Sequence, residues 1–313
     1  MARGVTTEHS AAMAWRDLFP HGAAPDQVAF VHDEGKSQIY RLSGVGPPGS
    51  AVVAKRCYRD GALVERRIYE QVLPRLPIST LRYFGFVEEE NSEFCWLFLE
   101  DAGDEPYSRD TPEHRILAAR WLGALHSRAA ESPAANRFAD RGPGYYWRSL
   151  QWSRQRIAEN IAGNGDLQAQ DLELLKTVLS QLDALELRWK WITGVCEAMP
   201  LTLVHGDFVA KNVRVRTGIT GSTLLVMDWE TVGWGVPAVD LAQYVGPRWP
   251  HVGLHDIEQL ASIGKIFRII CAVRWASECL RPDCLKDAVG DMKAARDGWL
   301  PFSPKVCRPG QSR

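Results

Sequence analysis

The chain has 313 residues, enough for two domains or for one domain of two lobes with a sizeable core. Hydrophobic residues make up 45% and charged residues 24%, the balance of a soluble globular protein. The formal net charge is −1, with 37 basic against 38 acidic residues, so neither nucleic acid nor a membrane surface is an expected partner. No stretch approaches transmembrane length.

Residues 1–20 contain Arg3, Glu8, His9, Arg16 and Asp17 and lack the apolar run of a secretory signal. Strands are predicted at Gln27–His32, Ser37–Ser43 and Ala51–Tyr58, the last β-branched and apolar. Leu63–Leu73 has helical periodicity, and Leu81–Val87 and Phe94–Leu99 read as two more strands. The first hundred residues therefore predict an antiparallel sheet carrying one helix. After Glu100-Asp101-Ala102-Gly103 the pattern changes. Helices are predicted at His114–Ala130, Trp152–Asn160 and Asp171–Glu186, with a loop at Gly142-Pro143-Gly144. Short strands at Leu201–Val204 and Thr223–Met227 flank a His-Gly-Asp segment, and Asp256–Leu280 and Leu285–Asp297 are again helical. The tail from Phe302 reads as frayed. The pattern predicts a small sheet-rich lobe over 1–101 and a larger helical lobe over 102–313. Seven cysteines lie scattered without a C-x-x-C, which predicts reduced thiols in a cytoplasmic protein.

Gly44-Val45-Gly46-Pro47-Pro48-Gly49 matches G-x-G-x-x-G. A dinucleotide fingerprint needs a helix opening at the last glycine. Here a strand follows, and the two prolines remove amide donors. Lys55 follows too soon for a protein-kinase glycine loop. The segment is read as a plain turn. The better phosphate loop is the hairpin Asp33-Glu34-Gly35-Lys36-Ser37-Gln38, where Gly35 and the small Ser37 permit close backbone approach.

Phosphoryl transfer asks a protein for positioning, for metal ions on the phosphates and for a group that orients the attacking hydroxyl. Asp207 follows a short apolar strand, where a carboxylate can accept a hydroxyl proton. Asn212, five residues on, offers a neutral oxygen ligand. Asp228 ends the run Leu224-Leu225-Val226-Met227 and offers a charged oxygen to the same hard cation. Lys55 is the one charged residue in Val-Val-Ala-Lys and can reach phosphates if a carboxylate holds it, either Glu65 or Glu70. Singly, each has an ordinary reading: Asp and Asn cap turns, strand lysines face water, and Glu65 and Glu70 are surface charges. Their joint occurrence in this order sets the chemistry apart.

H-G-D-x-x-x-x-N followed by a hydrophobic strand and D-W-E resembles the aminoglycoside phosphotransferase and choline kinase superfamily. V-A-K at 53–55, V-E-R-R-I-Y-E around Glu65, L-F-L-E-D-A-G at 97–103, L-G-A-L-H-S at 122–127 and G-V-P-A-V-D-L-A at 235–242 agree in order. The likeness runs from about 27 to 245. It implies an α+β, bilobal protein-kinase-like fold and an ATP- and magnesium-dependent small-molecule kinase. It implies Asp207 as catalytic base, Asn212 and Asp228 as magnesium ligands, and Lys55 on the ATP phosphates, paired with Glu65. Ser37 falls in the nucleotide loop, and Glu100 and Ala102 would offer backbone groups to adenine. His205 would hold the loop in shape, and Asp240 would buttress it. Lys211 stands where the family often has proline or glycine, placed either to touch phosphate or substrate or to face water.

Substrate class is thinly written. Residues 251–313 hold ten basic and seven acidic side chains, which weighs against a polycationic aminoglycoside. Twelve tryptophans, with Tyr145, Tyr146, Trp147, Trp152, Trp234, Trp249 and Trp275 in the larger lobe, suit either a helical core or an aromatic cleft for an apolar or quaternary-ammonium ligand. The expectation is a hydroxylated small molecule. A protein kinase is disfavoured, because H-R-D, D-F-G and A-P-E are missing. The non-enzyme alternative is a degenerate kinase-fold scaffold, which the intact metal-ligand set opposes.

Overall fold

The computed structural model describes residues 9–33, 37–47, 51–129, 137–219, 221–242 and 254–298. Along the chain run α1 (Ser10–Leu18), β1 (Gln27–Asp33), β2 (Ser37–Ser43), β3 (Val52–Tyr58), α2 (Arg59–Arg67), β4 (Tyr83–Glu88), β5 (Phe94–Glu100) and α3 (Pro112–Ala129). Then come β6 (Asp140–Arg141), α4 (Pro143–Gly163), α5 (Ala169–Glu186), α6 (Trp189–Glu197), β7 (Thr202–Val204), β8 (Val213–Gly218), β9 (Gly221–Val226) and β10 (Gly233–Gly235). The last helices are α7 (Leu254–Glu278) and α8 (Leu285–Gly298). The architecture is the expected α+β, with an antiparallel sheet first and helices after. The described residues fall into two compact units, one within Met1–Ala139 and Thr202–Gly233, the other within Asp140–Leu201, Trp234–Ala242 and Val252–Arg313.

In the first unit five strands form one antiparallel sheet in the order β1-β2-β3-β5-β4. Strand side chains alternate between faces, and β3 shows what that alternation accomplishes. Val52 and Ala54 join Trp96, Phe98 and Leu42 on one face, which is covered by Ala11, Ala12, Ala14 and Trp15 of α1. Val53, Lys55 and Cys57 point the other way, where Cys57 and Cys95 pack against Ala62 of α2. Helix α1, absent from the sequence reading, starts where His9 Nδ1 accepts the Ala11 N–H at 3.1 Å and closes the outer face of the sheet. β7 is fastened to α3 by the Thr202 hydroxyl donating to the His126 carbonyl at 2.7 Å. β8 and β9 pair as a hairpin, with Val213 opposite Val226.

The second unit is helical. Tyr146 of α4 stacks on Phe267 of α7, ring centroids 3.9 Å apart, beside buried Leu150, Ile157, Ile263 and Ile270. α7 crosses the turn Pro237–Leu241 so closely that a Cβ on Gly264 would lie 1.8 Å from the Ala238 carbonyl oxygen.

Several boundaries move. The Gly142–Gly144 loop is instead the start of α4: Pro143 occupies the first turn, where its fixed φ is already helical and its missing N–H costs nothing. The predicted helix over 63–73 starts at Arg59 as α2, then widens into a π turn at Ile68–Val72 and tightens into a 3₁₀ turn at Leu73–Arg75. The Gly44–Gly49 segment begins as a turn, with Gly44 and Gly46 at φ 78° and 91°; residues 48–50 lie outside the described residues, as do 34–36 of the candidate phosphate hairpin and the tail from Phe302. None of the six cysteines among the described residues is in a disulfide, and no helix among those residues is long and apolar enough to cross a membrane.

Overpacking of this kind costs about 1–3 kcal/mol. Gly264→Ala is therefore expected to lower unfolding stability by about that amount in urea titration, as α7 and the 237–241 turn are forced apart.

Candidate active site

Lys55 sits mid-sheet, opposite Ile39 of β2 and Leu97 of β5, and is only 8% exposed. A buried ammonium must be paired. Its Nζ donates to Glu65 Oε1 and to Asp228 Oδ1 at 2.7 Å. Glu65 is 1% exposed. Glu70, the alternative partner, lies elsewhere: it accepts from Arg66 at 3.0 Å and from the Tyr83 hydroxyl at 3.1 Å.

The charges shift one another. Burial pulls the Lys55 ammonium down, but the Glu65 and Asp228 carboxylates overcome it and hold its pKa well above the ordinary lysine value. Burial pushes the Glu65 carboxyl up to about 7 against the pull of Lys55. At Asp228 burial also pushes upward, but Lys55 outweighs it and the net shift is downward.

Asp228 follows β9 in the left-handed region, φ 66°, a conformation Asp tolerates better than most residues. Its place is fixed from beneath. His205, fully buried, lies 3.1 Å by Nε2 from the Met227 carbonyl, and its Nδ1 accepts the Asp207 N–H at 3.3 Å. This arrangement suits the neutral tautomer with the proton on Nε2. Gly206 has φ 84°, and a Cβ there would lie 2.5 Å from the Thr231 carbonyl oxygen, so the His-Gly-Asp bend requires glycine. The Thr231 hydroxyl donates to the His205 carbonyl at 2.9 Å. Asn212, at the end of the 3₁₀ turn Ala210–Asn212, donates through Nδ2 to the Asp207 carboxylate at 2.9 Å and to the Asp207 carbonyl at 3.0 Å. Met227 N–H donates to the Asn212 carbonyl at 3.0 Å, which ties the two halves of the loop together.

One cavity of about 490 Å³ gathers Lys55, Glu65, Ser37, Glu100, Ala102, Lys211, Asn212 and Asp228. Asp207 does not line it but stands one hydrogen bond away through Asn212. Asp240 is buried on the turn of the second unit. With its amide nitrogen committed to Asp207, Asn212 keeps Oδ1, and Asp228 keeps a second carboxylate oxygen. Both are hard donors of the kind magnesium takes alongside phosphate oxygens, so the residues fit that ion.

The sequence reading did not include three groups that shape this cavity. Arg216 of β8 donates to Glu100 Oε1 and to the Asp101 carbonyl, both at 2.7 Å. Arg82 N–H holds the other Glu100 oxygen at 3.1 Å. Arg41 of β2 lines the cavity and pairs with Asp101 and with Asp104, the latter at 2.8 Å. The alternation V-R-V-R at 213–216 was the available signal for β8 and for Arg216. Of the aromatics weighed for a ligand cleft, Tyr146 is core, Trp152 carries Arg274 over its face at 3.8 Å, and Trp249 lies outside the described residues.

A chain in which a buried strand lysine joins a helix carboxylate and a carboxylate after an H-G-D-x-x-x-x-N loop has a protein-kinase-like phosphotransferase fold. It belongs to the phosphotransferase enzyme family, whose model matches residues 16–261. Solved structures share the fold. A spectinomycin phosphotransferase in complex with ADP and spectinomycin is similar with a TM-score of 0.61 and 11% identity, over 91% of this chain and 95% of that one. The GDP complex of a mutant aminoglycoside 2'-phosphotransferase gives 0.63 and 10%, over 93% and 97%. Plasmodium vivax ethanolamine kinase gives 0.57 and 15%, over 92% and 86%. No curated protein sequence matches the chain. The family makes the chain a phosphotransferase, and these likenesses show its fold.

Removing the cation from the buried triad leaves two carboxylates uncompensated. Lys55→Met is expected to cost about 3–5 kcal/mol of stability at pH 8. Glu65 has a higher pKa in the fold than in the unfolded chain, so protonation favours folding below the unfolded value and that contribution fades as pH rises through about 7. In the variant the carboxyl lacks its counter-charge and protonates at still higher pH. The penalty should therefore shrink at pH 5, as denaturant titrations of both proteins at the two pH values would show.

Proposed function

We propose that the protein is an ATP- and magnesium-dependent kinase that transfers the γ-phosphoryl group to a hydroxyl of a small molecule. The observation that carries this reading is the buried Lys55 held between Glu65 and Asp228 at the wall of a cavity that also presents Asn212, Glu100 and Ala102. A lysine fixed in this way is presented to a nucleotide's phosphates without losing side-chain freedom at the moment of binding. Residues 1–101 would supply most of the nucleotide site, and 102–313 the catalytic loop and the acceptor site, in a cytoplasmic protein.

In this reading the adenine lies against the segment Glu100–Ala102, with Glu100's own side chain drawn aside by Arg216 and Arg82. Ser37 and Lys55 face the phosphates. Asn212 and Asp228 would hold magnesium, which supplies charge neutralisation on the transferring phosphoryl group. Asp207, oriented by Asn212, accepts the acceptor's hydroxyl proton as the new oxygen–phosphorus bond forms and the bond to the β-phosphate oxygen breaks. Lys211 in the cavity lining adds a positive charge near the phosphates. Spectinomycin and ethanolamine, named for two of the similar structures, support a hydroxylated small molecule as acceptor.

Asp207→Asn should lower phosphate transfer by about 10²–10⁴-fold while leaving Mg·ATP binding intact. The measurement is γ-phosphate transfer over a panel of amino alcohols, aminoglycosides, macrolides, nucleosides and sugars. Unchanged turnover in the variant would remove Asp207 from the chemistry. Mg·ATP at about 100 times its Kd should also stabilise the wild type by about 2.7 kcal/mol. If ATP, with or without magnesium, left the melting temperature unmoved, the chain would be a kinase-fold scaffold instead.

A further inference from the structure

Among the buried side-chain polar atoms of the described residues that lack a hydrogen-bond partner are Glu65 Oε2, the Tyr69 hydroxyl and Trp229 Nε1. They belong to one neighbourhood. Tyr69 stands one helical turn after Glu65, on the π turn that extends α2, and its phenol feels the charges of Glu65, Lys55 and Asp228. It also lies near enough to the Trp229 indole N–H to interact with it, though outside full hydrogen-bond geometry. Trp229 is the residue after Asp228 and is fully buried. The Tyr69 ring is held in place by parallel stacking on Tyr83, centroids 5.8 Å apart and 7° from coplanar.

Buried polar groups in native proteins are almost always satisfied, and the chemistry of these three fixes the direction in which they can satisfy one another. An indole N–H only donates, and an ionised carboxylate only accepts. A phenol hydroxyl does both. The chain that uses all three runs from Trp229 N–H to the Tyr69 oxygen, and from the Tyr69 O–H to Glu65 Oε2.

We propose that Tyr69 is a positioning residue for the nucleotide lysine, joining Glu65 to Trp229 so that Lys55, Glu65, Tyr69, Trp229 and Asp228 form a closed ring. The inference rests on the kinase reading and deepens it. Lys55 is anchored by Glu65 Oε1 alone once Asp228 turns to another partner. A carboxylate whose second oxygen is pinned by Tyr69 cannot swing away with it. The Tyr69 link thus keeps Lys55 at the phosphate site through that exchange, and Trp229 couples the link to the segment that carries Asp228.

Tyr69→Phe removes the hydroxyl and keeps the ring, its stacking and its volume, so the variant should fold. The test is calorimetric titration of wild type, Tyr69→Phe, Glu65→Gln and the double variant with ADP and magnesium, from pH 6 to 8.5. The groups facing Glu65 are Lys55 and Cys57 from β3, Asp228 and Glu230 from the segment after β9, and Tyr69 from the π turn that extends α2. Of these, Tyr69 alone is altered in the Tyr69→Phe variant. Without the donated hydrogen bond the Glu65 carboxylate takes up its proton at higher pH, so the acid limb of nucleotide affinity should move up by about one pH unit. Affinity near pH 6.5 should then fall about tenfold, with the two proteins much closer at pH 8.5. In the Glu65→Gln background the Tyr69→Phe change should have no such pH-dependent effect. An acid limb identical to that of the wild type, or an equal shift in the Glu65→Gln background, overturns the proposal while leaving the kinase reading in place. Failure of the wild type itself to bind ADP with magnesium overturns the kinase reading and this role with it.

Discussion

The site depends on the placement of one ammonium group away from water. Lys55 cannot be buried in the sheet unless its charge is met, and the fold meets it twice, from α2 by Glu65 and from the turn after β9 by Asp228. A buried ion pair is a poor source of net stability, and its worth here is geometric. It joins β3 and the helix that follows it to a segment 173 residues after Lys55, and each must be correctly placed for the charge to be compensated. The alternation of β3 that turns Lys55 inward also turns Val52 and Ala54 outward against α1, so the outer core and the charged centre are set by a single strand register.

The second constraint is the His205–Asn212 loop, whose bend is held largely by backbone contacts. His205 bridges the Met227 carbonyl and the Asp207 N–H, Thr231 grips the His205 carbonyl, and Asn212 binds Asp207 twice. The carboxylate and the amide oxygen are therefore oriented before any ligand arrives, which is the state that electrostatic catalysis favours.

Much of this was legible in the sequence because it is local. The strands of the first hundred residues announce themselves by alternation, and Asp207, Asn212 and Asp228 by spacing. Glu65 and Glu70 were not separable by composition. Their distinction lies in which face of α2 packs on the sheet, and Ala62 and Glu65 share that face. Helix α1 escaped notice because its small apolar face, Ala11, Ala12, Ala14 and Trp15, gains meaning only from the aromatic sheet surface it covers. The start of α4 was misread because Gly-Pro-Gly signals a turn until the proline is seen to be the first residue of a helix. The V-R-V-R alternation signals the strand that carries Arg216 but not its partners, the Glu100 carboxylate and the Asp101 carbonyl more than a hundred residues away.

The left-handed backbone at Asp228 bears on how such a protein can change over time. Few side chains tolerate that conformation, and asparagine is among those that do. Exchange of one carboxylate oxygen for an amide nitrogen would keep the turn, the volume and the strand before it, while deleting the charge that Lys55 relies on and that the proposed metal site would need. At this position the requirements of folding and of chemistry part company at a single atom. A lineage could shed its activity there while retaining the same backbone, and a silent descendant would be told from a working one by residue 228 rather than by its fold.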